Sequence, residues 1–162
     1  MREIYDGAEA YVGVQEVLSK IPFPPSIVEF ARHSQDPELM LNDPDRIDEF
    51  IDAYLNISFS DEGRFTLMFV ILDSFNSILS KDNTSRQYWN TIKMLLKEDG
   101  LFFSKLIIYY ASVDYGRNLE DAWPIAPYMR SILIELVQRY PEIKDNKKKY
   151  NTLFLPEWDY FQ

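Results

Sequence analysis

The sequence predicts an all-α protein, either a compact bundle or a short array of antiparallel helix pairs. Three observations carry that prediction. Apolar residues recur at intervals of three and four along most of the chain, the repeat of one face of a helix. Residues that start and stop helices punctuate those stretches. No stretch alternates apolar and polar residues between hairpin turns, so strands are not expected.

Ile4, Ala8, Tyr11, Val14, Leu18 and Ile21 mark an amphipathic helix over 3–21. Gly7 and Gly13 weaken it by up to about 1 kcal/mol each relative to alanine. Pro22, Pro24 and Pro25 end it, and Pro25-Ser26 opens a short helix running through Ala31. The clearest start comes next. Asp43 is placed to cap, Pro44 suits the first helical position, and Asp45 lies at the positive end of the helix dipole. Ile47, Phe50, Ile51, Tyr54 and Leu55 form the apolar stripe of that helix. Ser60 or Asp61 starts a longer one, with Phe65, Met68, Phe69, Leu72, Phe75 and Leu79 facing one way. Leu67, Ile71 and Ile78 widen its stripe past half the circumference, which predicts a central position.

Asn83-Thr84-Ser85 offers another cap, ahead of a face made by Tyr88, Trp89, Ile92, Leu95 and Leu96. Gly100 marks the stop. Leu101 to Val113 is apolar nearly all round. Pro124 and Pro127 delay the next helix, whose stripe is Met129, Ile132, Leu133, Leu136, Val137 and Tyr140, and Pro141 ends it. Lys144 and Lys147 to Lys149 make a solvated basic loop, and the apolar segment within 150–162 is expected to dock on the body. Helix openings near 44, 83 and 122 recur evenly, close to the period of stacked helix pairs in HEAT-type arrays. The chain has 162 residues, 46 % of them hydrophobic and 27 % charged. One domain spanning 1–162 is expected, large enough to bury a core without disulfide or metal.

The formal net charge of −9 is unevenly placed. Residues 1–63 hold 14 acids and 4 bases, whereas residues 64–162 hold 12 acids and 13 bases. Nine of the acids fall within 36–62, against Arg46 alone. Such a balance argues against direct nucleic-acid binding, which needs Lys and Arg to displace counterions from phosphate. It favours a cationic protein partner, drawn in by the field of the acids. No apolar run approaches the ~20 residues that span a bilayer, and the acidic start lacks the features of a secretory signal. A cytoplasmic protein without membrane contact is expected.

Little material for catalysis is present. With no cysteine and one histidine, thiol nucleophiles, thiolate metal sites and multi-histidine centres are excluded. Asp43-Pro44-Asp45-Arg46-Ile47-Asp48 is acidic, but a calcium loop needs a glycine at its sixth position and oxygen ligands where arginine and isoleucine stand. His33 lies four residues after Glu29 at a helix end, where its charge suits the dipole. No phosphate-cradling glycine motif and no Gly-x-Ser-x-Gly element occurs. No catalytic, cofactor or metal site is expected.

The residues singled out for partner binding are Asp45, Asp48, Glu49 and Asp52, with Asp61 and Glu62 at the next helix start. Spacings of three and four put the first four on one helical face, opposite Ile47, Phe50, Ile51 and Tyr54. Like charges at i,i+4 cost a helix roughly 0.2–0.5 kcal/mol per pair, and Asp45/Glu49 and Asp48/Asp52 are such pairs. A merely solvated, acid-rich helix start accounts for the same residues without a partner. Most of the 11 Phe, 11 Tyr and 3 Trp fall on helical stripes and read as core. Tyr109, Tyr110, Tyr115, Trp123, Trp158 and Tyr160 could instead anchor an interface, because Tyr and Trp are favoured there. Arg130, flanked by an apolar stripe, reads as an intramolecular partner of an acid.

The acid cluster at 36–62 and the aromatic-rich stretches around Trp89, Tyr109-Tyr110 and Trp123-Pro124 resemble, at the level of a class, the immunity proteins of bacterial polymorphic-toxin and contact-dependent growth inhibition systems. The resemblance implies a small cytosolic protein that neutralises a toxin domain, commonly a basic nuclease. It implies no particular fold and no site residues. The expectation is a non-catalytic protein that occludes a basic partner's active site or substrate groove. A helical scaffold or adaptor subunit, and a helical enzyme with converging carboxylates, are the alternatives.

Overall fold

The computed structural model describes residues 10–83, 86–112, 119–141 and 143. Among them lie seven α-helices and no strand, so the protein is all-α as its periodicity predicts. They are α1 (Ala10–Lys20), α2 (Pro25–His33), α3 (Ile47–Asn56), α4 (Asp61–Lys81), α5 (Trp89–Glu98), α6 (Ser104–Tyr110) and α7 (Ala126–Arg139). Two 3-10 segments, Pro37–Leu41 and Pro44–Arg46, precede α3. No helix among the described residues is long and apolar enough to cross a membrane. The expected docking of 150–162 lies outside the described residues. The described helices cluster in two compact units, with the chain passing from the first to the second between Lys81 and Asp82.

The first unit is built around α4. Leu67, Met68, Val70, Ile71, Leu72, Phe75 and Leu79 are all buried there, so little of the helix's circumference faces solvent. α1, α3 and the Pro37–Leu41 segment pack against it. Val14 and Val17 from α1, Ile47 and Phe50 from α3, and Leu41 fill the space between. At roughly 1.5–3 kcal/mol for each fully buried aliphatic or aromatic side chain, this burial is what opposes the chain's conformational entropy.

α1 crosses α4 so closely that a side chain at either of two glycines would meet its neighbours. A Cβ on Gly13 would collide with the Thr66 hydroxyl and stand 2.5 Å from the Glu62 carbonyl oxygen. One on Gly63 would run into the Glu16 carboxylate and reach 3.0 Å from the Phe59 ring. The helix propensity lost at Gly13 is therefore exchanged for backbone proximity. Lys20, one turn beyond Glu16, donates to the Glu16 carboxylate and to the Ser58 carbonyl, both at 2.6 Å.

In the second unit α7 packs against α5 and α6. Ile92, Leu95 and Leu96 of α5 and Met129, Ile132, Leu133 and Leu136 of α7 are buried side chains of those helices. The helix expected from Leu101 is shorter than predicted. A tight turn closed by Ser104 N–H and the Leu101 carbonyl (3.2 Å) delays it to Ser104. It ends because Ser112 adopts a left-handed conformation, φ 47°, which costs an L-residue about 1–2 kcal/mol. The buried Arg130 of α7 secures that end. Its Nε donates to the Ala111 carbonyl at 2.8 Å and a terminal nitrogen to the Ser112 carbonyl at 2.6 Å. A fixed cation at the negative end of a helix is favourable.

Candidate functional site

α3 carries the acidic face, and its position is set from the chain just before it. Asn42 Nδ2 donates to Asp73 Oδ2 (2.5 Å) and Ser77 Oγ (3.0 Å), and Asp43 N–H donates to Ser74 Oγ (3.1 Å). Those bonds fasten the approach to α3 onto α4. Asp43 does cap, but it caps the 3-10 turn: its Oδ1 accepts from Asp45 N–H at 3.1 Å. The α-helix begins only at Ile47. Asp45 thus stands in the turn and not on the α-helical face with the others, which corrects the continuous helix predicted from Pro44.

Asp48, Glu49 and Asp52 are exposed on α3, opposite the buried Ile47, Phe50 and Ala53. They are not equivalent. Glu49 is gripped by Arg46, whose Nε and a terminal nitrogen donate to its two oxygens at 2.8 and 2.7 Å. That fork is the main reason the Glu49 carboxyl is held below the usual carboxylate range, against a smaller opposing effect of burial. Arg46 also donates to the Pro22 carbonyl at 2.6 Å and lies over the Phe23 and Phe50 rings at 4.6 and 5.2 Å. The one base of the acidic stretch is thereby committed to holding α3 to the chain before α2. Asp52 accepts from Asn56 Nδ2 at 2.8 Å, an uncharged donor that leaves its charge in place. Asp61 and Glu62 form the first turn of α4, where the helix dipole suffices to account for them.

Leu55 does not join the buried stripe. It is 54 % exposed, because seven residues after Asp48 is two helical turns, and it shares that residue's side of α3. An apolar side chain therefore continues the acidic face. The 3.6-residue period, applied strictly to α3 and not to a helix started at Pro44, was the signal that places it there.

The units differ in charge. Residues 6–81 hold 14 acids and 5 bases, so the chain's entire net charge of −9 lies in the first unit. Three of those five bases are engaged inside it: Lys20 with Glu16, Arg46 with Glu49, and Arg64 with the Tyr54 hydroxyl at 2.9 Å. His33 closes α2 with Nε2 3.1 Å from Glu29 Oε1. Among the described residues no group of three or more acids or histidines is placed to hold a metal ion.

The second unit contributes aromatic surface. Tyr109 on α6 and Trp123 in the chain before α7 are 53 % and 44 % exposed, with ring centroids 6.3 Å apart. Both rest on the buried Tyr110, at 5.0 and 6.4 Å. Trp89, half-buried, packs edge-on against Tyr128 at 4.9 Å and belongs to the α5–α7 contact. Tyr115, Trp158 and Tyr160 lie outside the described residues. No protein-family model matches the chain, and no curated protein or solved structure matches it either.

Proposed function

We propose that this protein is a non-catalytic inhibitor of the immunity type, which binds a basic toxin domain, such as a nuclease, and covers the surface where that domain's substrate would lie. The observation that supports this reading most is the confinement of all the net negative charge to residues 6–81, with Asp48 and Asp52 exposed on α3 and Arg46 turned to internal duty. A field of that sign raises the encounter rate with a cationic surface, and it does so most at low ionic strength. Carboxylates on a rigid helix then stand where phosphates would otherwise bind the basic partner, and Leu55 offers an apolar contact beside them.

The test is affinity capture from the native host with wild-type protein and with the D48K/D52K variant, followed by mass spectrometry. A basic protein retained by the wild type, released by moderate salt and lost in the variant, supports the reading, provided the circular dichroism spectra agree. Retention of a partner equally by both proteins and at all salt concentrations favours a scaffold or adaptor role. Retention of no basic protein overturns the proposal. A neighbouring gene for a large secreted protein with a basic C-terminal domain would add support.

A further inference from the structure

We propose that Trp123, backed by Tyr109 and Tyr110 and preceded by Asp121, is a docking point for an arginine side chain of a protein partner. This rests on the cationic-partner reading and names a contact that the acidic α3 face does not supply. Three observations converge. The indole is 44 % exposed although large aromatic rings are normally driven inward. It is held in place, since its neighbours Tyr109 and Tyr110 lie 6.3 and 6.4 Å away and the Ala126 N–H closes onto the Trp123 carbonyl at 2.8 Å. A held ring loses little freedom on binding, which is what an interface anchor needs.

The third observation is charge. Glu120 and Asp121 are exposed in the turn that the Ala122 N–H closes onto the Leu119 carbonyl at 3.2 Å, immediately before Trp123. An exposed aromatic side chain that follows an exposed carboxylate, Asp121, by two positions suits a guanidinium better than an ammonium or an apolar side chain. The planar cation stacks on the ring while its N–H groups reach an acid. An ammonium gains the charge but stacks less well, and an apolar side chain would leave Asp121 desolvated for nothing in return. Residues 82–162 as a whole are electrically balanced, with 11 acids, Glu120 and Asp121 among them, and 11 bases. Attraction here is therefore short-ranged and local, unlike that of the first unit.

The experiment uses the full chain, labelled for NMR of the indole N–H groups, with oligoarginine and oligolysine peptides of equal length as probes. The Trp123 signal is assigned by its absence in W123L. The wild type is expected to bind oligoarginine roughly threefold or more tightly than oligolysine, the fold-change of a single exposed cation–π contact, with the Trp123 indole signal shifting. W123L should lose that preference, W123F should keep part of it, and D48N/D52N should weaken both peptides while keeping it. An unchanged preference in W123L, or a Trp123 signal unmoved by oligoarginine, overturns this inference and leaves the cationic-partner reading standing. Failure of the wild type to bind either peptide overturns both.

Discussion

Glu16 caps a helix to which it does not belong. Its carboxylate accepts from the Ser60 backbone N–H at 3.0 and 3.2 Å and from the Ser60 hydroxyl. Ser60 Oγ in turn accepts from Gly63 N–H at 3.1 Å, as a residue just before the first turn of α4 should. The reciprocal bonds of a capping box are usually made within one helix. Here α1 supplies the acid, so the start of α4 and the packing of α1 stand or fall together.

Titration of Glu16 should reveal this. Burial pushes its carboxyl up, but hydrogen bonds from Lys20 and Ser60, and the Lys20 charge, outweigh burial and hold it below the ordinary value of 4.5. A carboxyl depressed in the folded state adds stability above its unfolded pKa and loses it as pH falls through the folded one. E16Q should therefore melt lower than wild type at neutral pH, with the gap narrowing below pH 4.5. S60A should cost about 1 kcal/mol by loss of the cap. Thermal unfolding across pH 3 to 7 (about the range over which carboxylates titrate) checks both.

Gly13→Ala should destabilise the protein even though alanine favours helices by about 1 kcal/mol. The added methyl meets the Thr66 hydroxyl and the Glu62 carbonyl, and forcing atoms into a filled space costs about 1–3 kcal/mol. Combining it with T66A should recover only part of the loss, since the Glu62 carbonyl belongs to the backbone. Urea midpoints at unchanged m-value would establish this; a stabilised G13A would show that the helices separate freely.

R46K should be far from conservative. Lysine keeps the charge but cannot donate in parallel to both Glu49 oxygens, reach the Pro22 carbonyl and cover the Phe23 and Phe50 rings. A loss on the order of 1–2 kcal/mol is expected. In E49Q the loss should be smaller, because the exposed carboxylate is screened by water. Differential scanning calorimetry of the two variants orders them.

Replacing Arg130 by Met should be among the most damaging changes in the second unit. It strips the Ala111 and Ser112 carbonyls of their donor, and each hydrogen bond to a charged group is worth about 1.5–3 kcal/mol. By contrast E135A should cost under about 1 kcal/mol, although Glu135 bonds to both Lys97 and Lys93. Glu135 is 40 % exposed in its side chain, and water competes for it. Parallel melts of R130M and E135A test the contrast.

Helix positions were largely legible because most depend on local pattern: Pro25, Ser60 and Pro141 bound α2, α4 and α7 as periodicity and capping chemistry require. What escaped prediction depends on contacts distant in sequence. The 3-10 segment Pro37–Leu41 has no period of its own and is held by burial of Pro37 and Leu41. Gly13 reads as a weak helix residue until α4 is laid against it. The acids of α3 were legible as an exposed face, but the pairing of Glu49 with Arg46 and the exposure of Leu55 follow from where the helix starts, three residues later than Pro44 implies. The bonds of Arg130 to the Ala111 and Ser112 carbonyls likewise depend on another helix bringing those carbonyls to it, which no local pattern announces.

The glycine seam between α1 and α4 has a mechanical consequence. Because Gly13 carries no side chain, its backbone lies against Glu62 and Thr66 of α4 with no room for even a methyl group. Movement of α1 is tied to the opening turn of α4 through the bonds of Glu16 to Ser60, and slow amide exchange at Ser60 and Gly63 is a gauge of whether that joint is closed.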